Sequence, residues 1–216
     1  MGQGICYLVC AGENTGLDFT LTANDYVIAV DGGFKVLEEA HITPDLVVGD
    51  FDTLGYCPTH PNVIRLNPRK DDTDTLAALK EGILEGFRCF HFYCGTGGRI
   101  EHTIANIQLL AFLSQSGRQG FLHDGNSILT TITSSKLTIS RRESGFVSVF
   151  SYSEECQGVN LHGLKYELTD AVLHNTFPLG ISNEFKGTES SISVRKGTLL
   201  VVFPKEVLGG LRLGEA

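Results

Sequence analysis

Residues Pro44 to Leu54 read P-D-L-V-V-G-D-F-D-T-L, and the fold is decided here. Leu46 to Val48 is a short β-branched run that stops at Gly49, as a buried strand does. Two carboxylates, Asp50 and Asp52, follow at a spacing of two, which in an extended backbone places both on one side and Phe51 on the other. Acids that face one point repel unless a proton or a cation lies between them, and a hard ion such as magnesium is the simplest partner. The alternative is that acids after a strand form a turn and begin a helix.

The same pattern recurs on both sides of this stretch. Ile5 to Cys10 is an apolar run ending at Ala11-Gly12-Glu13-Asn14, and Tyr26 to Val30 ends at Asp31-Gly32-Gly33 before a helical stretch, Phe34 to Ala40. Strand, acid, two glycines and helix is a place where backbone N–H groups meet an anion closely, although a plain strand-to-helix turn has the same composition. Asn62 to Leu66 reads as another strand. Thr73 is a fair N-cap for a helix from Asp74 to about Glu85, with Leu76, Leu79 and Ile83 at helical spacing. Acids in a first turn complement the helix dipole, which accounts for Asp74 and Asp72 without chemistry. Arg69, Lys70 and Asp71 form a basic pair beside the acidic cluster, a composition that suits a phosphate bridged by metal.

Cys89 to Cys94 is a strand followed by Gly95-Thr96-Gly97-Gly98-Arg99 and a helix from about Glu101 to Leu113. No Gly-Lys-Ser/Thr occurs, and Ile100 stands where a dinucleotide fingerprint needs its third glycine. The loop still opens onto a helix N-terminus and carries an arginine able to fork onto phosphate. His102 and Asn106 share one helix face, and Ile104, Ile107 and Ala111 are expected to face the core. In an open parallel sheet, ligands bind beyond the carboxyl ends of the strands, so these loops are expected to form one site.

From Gly120 the character changes to short runs rich in Val, Ile, Thr, Phe and Ser, at 128–132, 136–139, 146–151, 191–194 and 199–203, with a short helix near Lys205 to Leu208. The expectation is an α/β N-terminal domain, with an open, mostly parallel sheet and flanking helices, followed by an all-β, sandwich-like C-terminal domain. The division falls at 1–128 and 129–216. Leu179 to Phe185 offers Ser182, Asn183 and Glu184 between apolar residues; a ligand edge would look so, and a turn accounts for it more simply.

Composition bounds the function. The 216 residues are 42% hydrophobic and 19% charged, with a formal net charge of -8 and a pI near 5.3. That balance argues against non-specific nucleic-acid or anionic-membrane binding. Six cysteines show no disulfide or C-x-x-C pattern and are read as reduced, mostly buried thiols. No basic segment precedes a long apolar run, and no run is long enough to span a bilayer, so a cytoplasmic enzyme is expected.

The set of motifs resembles the thiamine pyrophosphokinase family. It comprises D-G-G at Asp31 to Gly33, P-D-L-V-V-G-D-F-D-T at Pro44 to Thr53, K-D-D-T-D at Lys70 to Asp74, G-G-R-I-E-H at Gly97 to His102 with Asn106 behind it, and S-N-E at Ser182 to Glu184. Their order is the family's, and they cover nearly the whole chain. The resemblance implies transfer of the pyrophosphoryl group of ATP to the hydroxyl of thiamine, giving AMP and thiamine diphosphate. It also implies magnesium, an N-terminal nucleotide-binding domain, a C-terminal β-sandwich, and a homodimer with thiamine near the subunit interface.

Carried over by position, Asp50, Asp52, Asp71 and Asp74 are the metal and phosphate carboxylates. Gly98 and Arg99 resemble the triphosphate loop, with Asp31, Gly32, Glu101 and His102 on the substrate side; Ser182 and Asn183 resemble thiamine contacts. Two departures stand out. Glu101 replaces the family's aspartate, and the chain has no tryptophan to stack on thiamine. Two rival readings share the acidic cluster: a diphosphokinase for another alcohol, such as a hydroxymethyl pterin, and a non-catalytic nucleotide or thiamine sensor.

Overall fold

The computed structural model describes residues 4–67 and 72–215, in two compact units. The first comprises the chain up to Leu109 together with Arg118–Gly125, and the second comprises Leu110–Gly117 and the chain from Asn126 onward. Arg69, Lys70 and Asp71 lie outside the described residues.

The first unit is built on six parallel strands: β1 (Ile5–Val9), β2 (Tyr26–Val30), β3 (Leu46–Gly49), β4 (Val63–Arg65), β5 (Cys89–Tyr93) and β6 (Gln119–Asp124), in the order β6-β5-β1-β2-β3-β4. The run Cys6 to Val9 and the residues Val27, Ile28, Ala29, Val47 and Val48 are all buried, which is why β1 to β3 read as continuous apolar runs without polar alternation. Helices α1 (Gly33–Glu39), α2 (Asp74–Leu84) and α3 (Ile100–Gln115) follow β2, β4 and β5. Thr73 caps α2 as its position suggests, its hydroxyl accepting from the Leu76 N–H at 3.1 Å.

One expected packing holds only in part. Ala111 is buried as expected, Ile107 is half-buried and Ile104 is exposed, while α3 also buries Asn106, Leu109, Leu110 and Leu113. A polar side chain takes the inward position because the glycine loop before the helix supplies it with a hydrogen-bond partner.

The second unit holds two antiparallel sheets. One has the order β12-β9-β14-β7, from β7 (Ser127–Thr133), β9 (Phe146–Ser151), β12 (Gly180–Glu184) and β14 (Thr198–Pro204). The other has the order β11-β10-β13-β8-β15, from β8 (Ser135–Arg142), β10 (Glu155–His162), β11 (Leu168–His174), β13 (Thr188–Ser193) and β15 (Leu211–Glu215). A 3-10 helix, Lys205–Gly210, precedes β15. Alternation of buried and less buried residues, clear in β9 and β14, marks strands covered more fully on one face.

The Ser182 stretch is the strand β12, where a turn was expected. Ser182 takes a left-handed φ of 55°, and the pairing with β9 slips between Gly180 and Asn183. This bulge removes the period of two from the sequence. No helix of the described residues is long and apolar enough to cross a membrane.

Candidate active site

Three strand ends in the first unit converge on one cavity of about 640 Å³. The chain makes sharp left-handed turns directly beyond each: Asp31 after β2 has φ 47°, Phe51 after β3 has φ 63°, and Cys94 after β5 has φ 52°. A non-glycine residue in this region is uncommon, and such turns gather where a site needs a side chain aimed against the run of the strand. The Asp31 N–H is tied to the Val48 carbonyl at 2.8 Å, so β3 fixes the turn at the end of β2.

The turn at Phe51 changes which acids meet. Asp50 and Asp52 both line the cavity, but Asp52 stays outside the closest group of carboxylates. Phe51 is buried, and Asp52 is exposed with its carboxylate on the Thr53 hydroxyl at 3.1 Å. Asp50 instead joins Asp31 and Asp74, and one carboxylate oxygen from each lies within 4.8 Å of the others. Asp31 is nearly fully buried, and its Oδ1 has no hydrogen-bond partner among the described residues. At such separations each pair of like charges costs about 3 kcal/mol at an effective dielectric of about 20, so the trio fits a bound cation.

The donors are hard carboxylate oxygens. Cys10 and Cys94 also line the cavity, but burial pushes their thiols up, to about 12 and about 11, so they stay protonated at neutral pH. An all-oxygen set of three carboxylates fits magnesium. Asp52 and Asp72 line the same cavity outside the trio, Asp72 in an ion pair with Lys80.

Opposite the carboxylates runs the loop Gly95 to Arg99. Gly97 and Gly98 are left-handed, with φ of 69° and 86°. The backbone N–H groups of Thr96, Gly97 and Gly98 have no protein partner among the described residues, which leaves a row of donors for an anion. Arg99 lines the cavity, and its Nε donates to Glu101 Oε1 at 2.7 Å, an interaction that holds the Glu101 carboxyl below its ordinary range. Glu101 therefore backs the arginine and is absent from the cavity wall, whereas His102 lines it. Gly32 caps α1 without facing the cavity.

Ser182 and Asn183 belong to the second unit. Asn183 is buried and spends its amide on Tyr166, accepting from the Tyr166 N–H at 2.9 Å and donating to the Tyr166 carbonyl at 2.6 Å. Tyr166 is held exposed, with the Lys165 ammonium 5.4 Å from its ring centre. The hydroxyl of Ser182 has no partner among the described residues, and its N–H donates to Ser148 Oγ at 3.0 Å.

Membership of Asp31 in the carboxylate trio was hidden in the sequence, because its neighbours come from β3 and α2 and the strand order is not written in the chain. The D-G-G signal marked the place without its role.

Comparison with known proteins agrees with these features. Residues 18–121 match the thiamin pyrophosphokinase catalytic domain, and residues 134–199 match the thiamin pyrophosphokinase vitamin B1 binding domain. The thiamine pyrophosphokinase of Bacillus subtilis is 28% identical over 182 residues, covering 81% of this chain and 85% of that protein. The crystal structure of thiamin pyrophosphokinase from Geobacillus thermodenitrificans superposes with a TM-score of 0.80 at 27% identity, covering 93% of this chain and 97% of that one. The Bacillus subtilis crystal structure gives 0.79 at 25% identity, covering 93% and 98%. With both domains matched in order along most of its length, the chain belongs to the thiamin pyrophosphokinase family of thiamine diphosphokinases.

Proposed function

We propose that the chain transfers the pyrophosphoryl group of ATP to the hydroxyl of thiamine, releasing AMP, at the cavity between the carboxylate trio and the glycine loop. The observation that carries this reading is the orphaned Oδ1 of buried Asp31 beside Asp50 and Asp74, across from unpaired loop N–H groups. Asp31, Asp50 and Asp74 would hold magnesium, with Asp52 and Asp71 as further candidates from the sequence. When bound, magnesium supplies charge neutralisation for the polyphosphate.

The residues of the chain do the rest by positioning. The N–H groups of Thr96, Gly97 and Gly98 bind phosphate oxygens, and Arg99, steadied by Glu101, presents its remaining guanidinium donors to them. The thiamine oxygen attacks the β-phosphorus in line; the new oxygen–phosphorus bond forms as the bond to the α-phosphate bridge breaks, and that electron pair leaves with AMP. One carboxylate of the cluster accepts the hydroxyl proton. Thiamine recognition is assigned to the second unit, where Ser182 offers a free hydroxyl, Asn183 sets Tyr166 in place, and Tyr166 replaces a stacking tryptophan. Tyr166, Phe177, Leu179 and Ile181 are exposed in that unit, which suits the homodimer implied by the family. Six free cysteines suit a reducing, cytoplasmic setting.

The test is to incubate the purified protein with ATP, magnesium and thiamine and to separate the products by chromatography. AMP and thiamine diphosphate in equal amounts, abolished by EDTA, are expected. ADP with thiamine monophosphate would replace the mechanism with single phosphoryl transfer, and Mg-ATP binding without AMP release would leave a sensor.

A further inference from the structure

Three consecutive carbonyls, those of Cys94 and of Gly95 and Thr96 in the glycine loop, are each tied by groups beyond the loop. The Gly12 N–H donates to the Cys94 carbonyl at 2.7 Å, Asn106 Nδ2 donates to the Gly95 carbonyl at 2.7 Å, and the Glu13 N–H donates to the Thr96 carbonyl at 2.9 Å. In a planar trans peptide the C=O and the following N–H point in opposite directions. Tying these three carbonyls therefore turns the N–H groups of Gly95, Thr96 and Gly97 the other way, and none of the three has a protein partner among the described residues.

Two of the ties are backbone to backbone and would survive most substitutions. The middle one rests on a single side chain. Asn106 is nearly fully buried on α3, lines the cavity, and sits so close under the loop that a β-carbon on Gly95 would come within 3.1 Å of its Nδ2. Its orientation is fixed by chemistry, because a carbonyl oxygen only accepts and so must face the amide nitrogen.

We infer that Asn106 is a positioning residue for the phosphate-binding step, holding the Gly95–Thr96 peptide so that the loop presents its N–H groups to the ATP polyphosphate before substrate arrives. This rests on the reading that ATP occupies this cavity. Asn106 reaches the nucleotide through the loop and takes no part in thiamine binding, so its removal separates the two substrates. Preorganised donors are where a small misplacement is expensive, since a loop that must be reordered on binding loses affinity and rate together.

The experiment pairs two variants with the wild-type protein. Asn106→Leu keeps the volume and removes the donor; its KM for ATP should rise at least tenfold while its KM for thiamine stays within twofold of wild type. Asn106→Asp places a carboxylate against the Gly95 carbonyl at neutral pH, and regains a donor when the carboxyl is protonated. Its defect in kcat/KM for ATP, taken as a ratio to wild type at each pH, should shrink several-fold from pH 8 to pH 6. The ratio cancels titration of the aspartates and His102 that share the cavity. An unchanged KM for ATP in Asn106→Leu, an equal rise for both substrates, or a pH-independent Asn106→Asp defect overturns the inference. Should Asn106→Leu fail to fold, the Asn106→Asp profile decides alone. Wild-type protein that neither binds Mg-ATP by calorimetry nor releases AMP would remove the functional reading itself and this inference with it, whereas active wild type with unaffected variants removes this inference only.

Discussion

The Cα atom of Asp31 lies 2.9 Å from the point where a β-carbon on Gly49 would sit, and the Asp31 Cβ and N lie 3.1 Å from it. Gly49 thus lets the end of β3 pass against the left-handed turn that aims Asp31 at Asp50 and Asp74. Gly49→Ala should push Asp31 outward. Overpacking of this kind costs about 1–3 kcal/mol, and a displacement of about 1 Å at a catalytic group costs on the order of 100-fold in rate. The expected result is a thermal midpoint lowered by several degrees, with kcat reduced far more than the KM for thiamine. Near-normal kcat would mean that the position of Asp31 is not critical.

The trio makes opposite predictions for stability and activity. Asp31→Asn and Asp50→Asn each relieve repulsion in metal-free protein, so in EDTA both variants should melt above wild type. Magnesium should raise the wild-type midpoint, as a ligand at about 100 times its Kd adds about 2.7 kcal/mol, and the rise should be lost in either variant along with most turnover. Asp52→Asn, outside the trio, should lose less of both. A magnesium shift that survives in Asp31→Asn and Asp50→Asn would count against the metal assignment.

How much of this was legible in the sequence depended on whether the signal was local. The strands β1 to β3 announced themselves because complete burial leaves uninterrupted apolar runs, and Thr73 because a cap is a local hydrogen bond. The glycine loop and its arginine were visible for the same reason. Partnership across the sheet was not. Asp52 was expected beside Asp50 on the rule of alternation; both line the cavity, but with left-handed Phe51 between them Asp52 falls outside the closest trio. Asp31 was recognised as a strand-end acid, while its neighbours are set by the order β1-β2-β3. β10, β11 and β15 were missed because bulges and exposed polar faces blur the period of two, as at the register shifts of β10 with β11.

Asn183 supports Tyr166 through two hydrogen bonds and also accepts from the Glu184 N–H at 2.9 Å. Asn183→Ala leaves these backbone groups without their buried partner, at about 1–3 kcal/mol. If Tyr166 forms part of the thiamine site, the KM for thiamine should rise at least fivefold while the KM for ATP is unchanged. Tyr166→Phe should behave as wild type and Tyr166→Ala as Asn183→Ala. Equal effects on both substrates would reduce Asn183 to a fold-stabilising residue.

Acid sensitivity should come from the β5–β6 side of the parallel sheet. His91 Nδ1 and His123 Nε2 lie 2.9 Å apart, both residues are buried, and Tyr93 stacks on His123 at 4.0 Å while donating to Asp18. Burial, and then the neighbouring His123, lowers the pKa of His91 from 6.5 to about 3, against the opposing pull of Asp18 and Asp25. The folded state therefore binds this proton less readily than the unfolded chain. Its contribution is fully present above pH 6.5 and is lost as the pH falls from 6.5 toward 3. At pH 5 the loss amounts to about 2 kcal/mol, which urea unfolding midpoints measured between pH 8 and pH 5 would resolve. His91→Phe keeps a ring in the stack and removes the titration, so its stability should fall less steeply over the same range. Parallel curves for the two proteins would show that acid lability arises elsewhere.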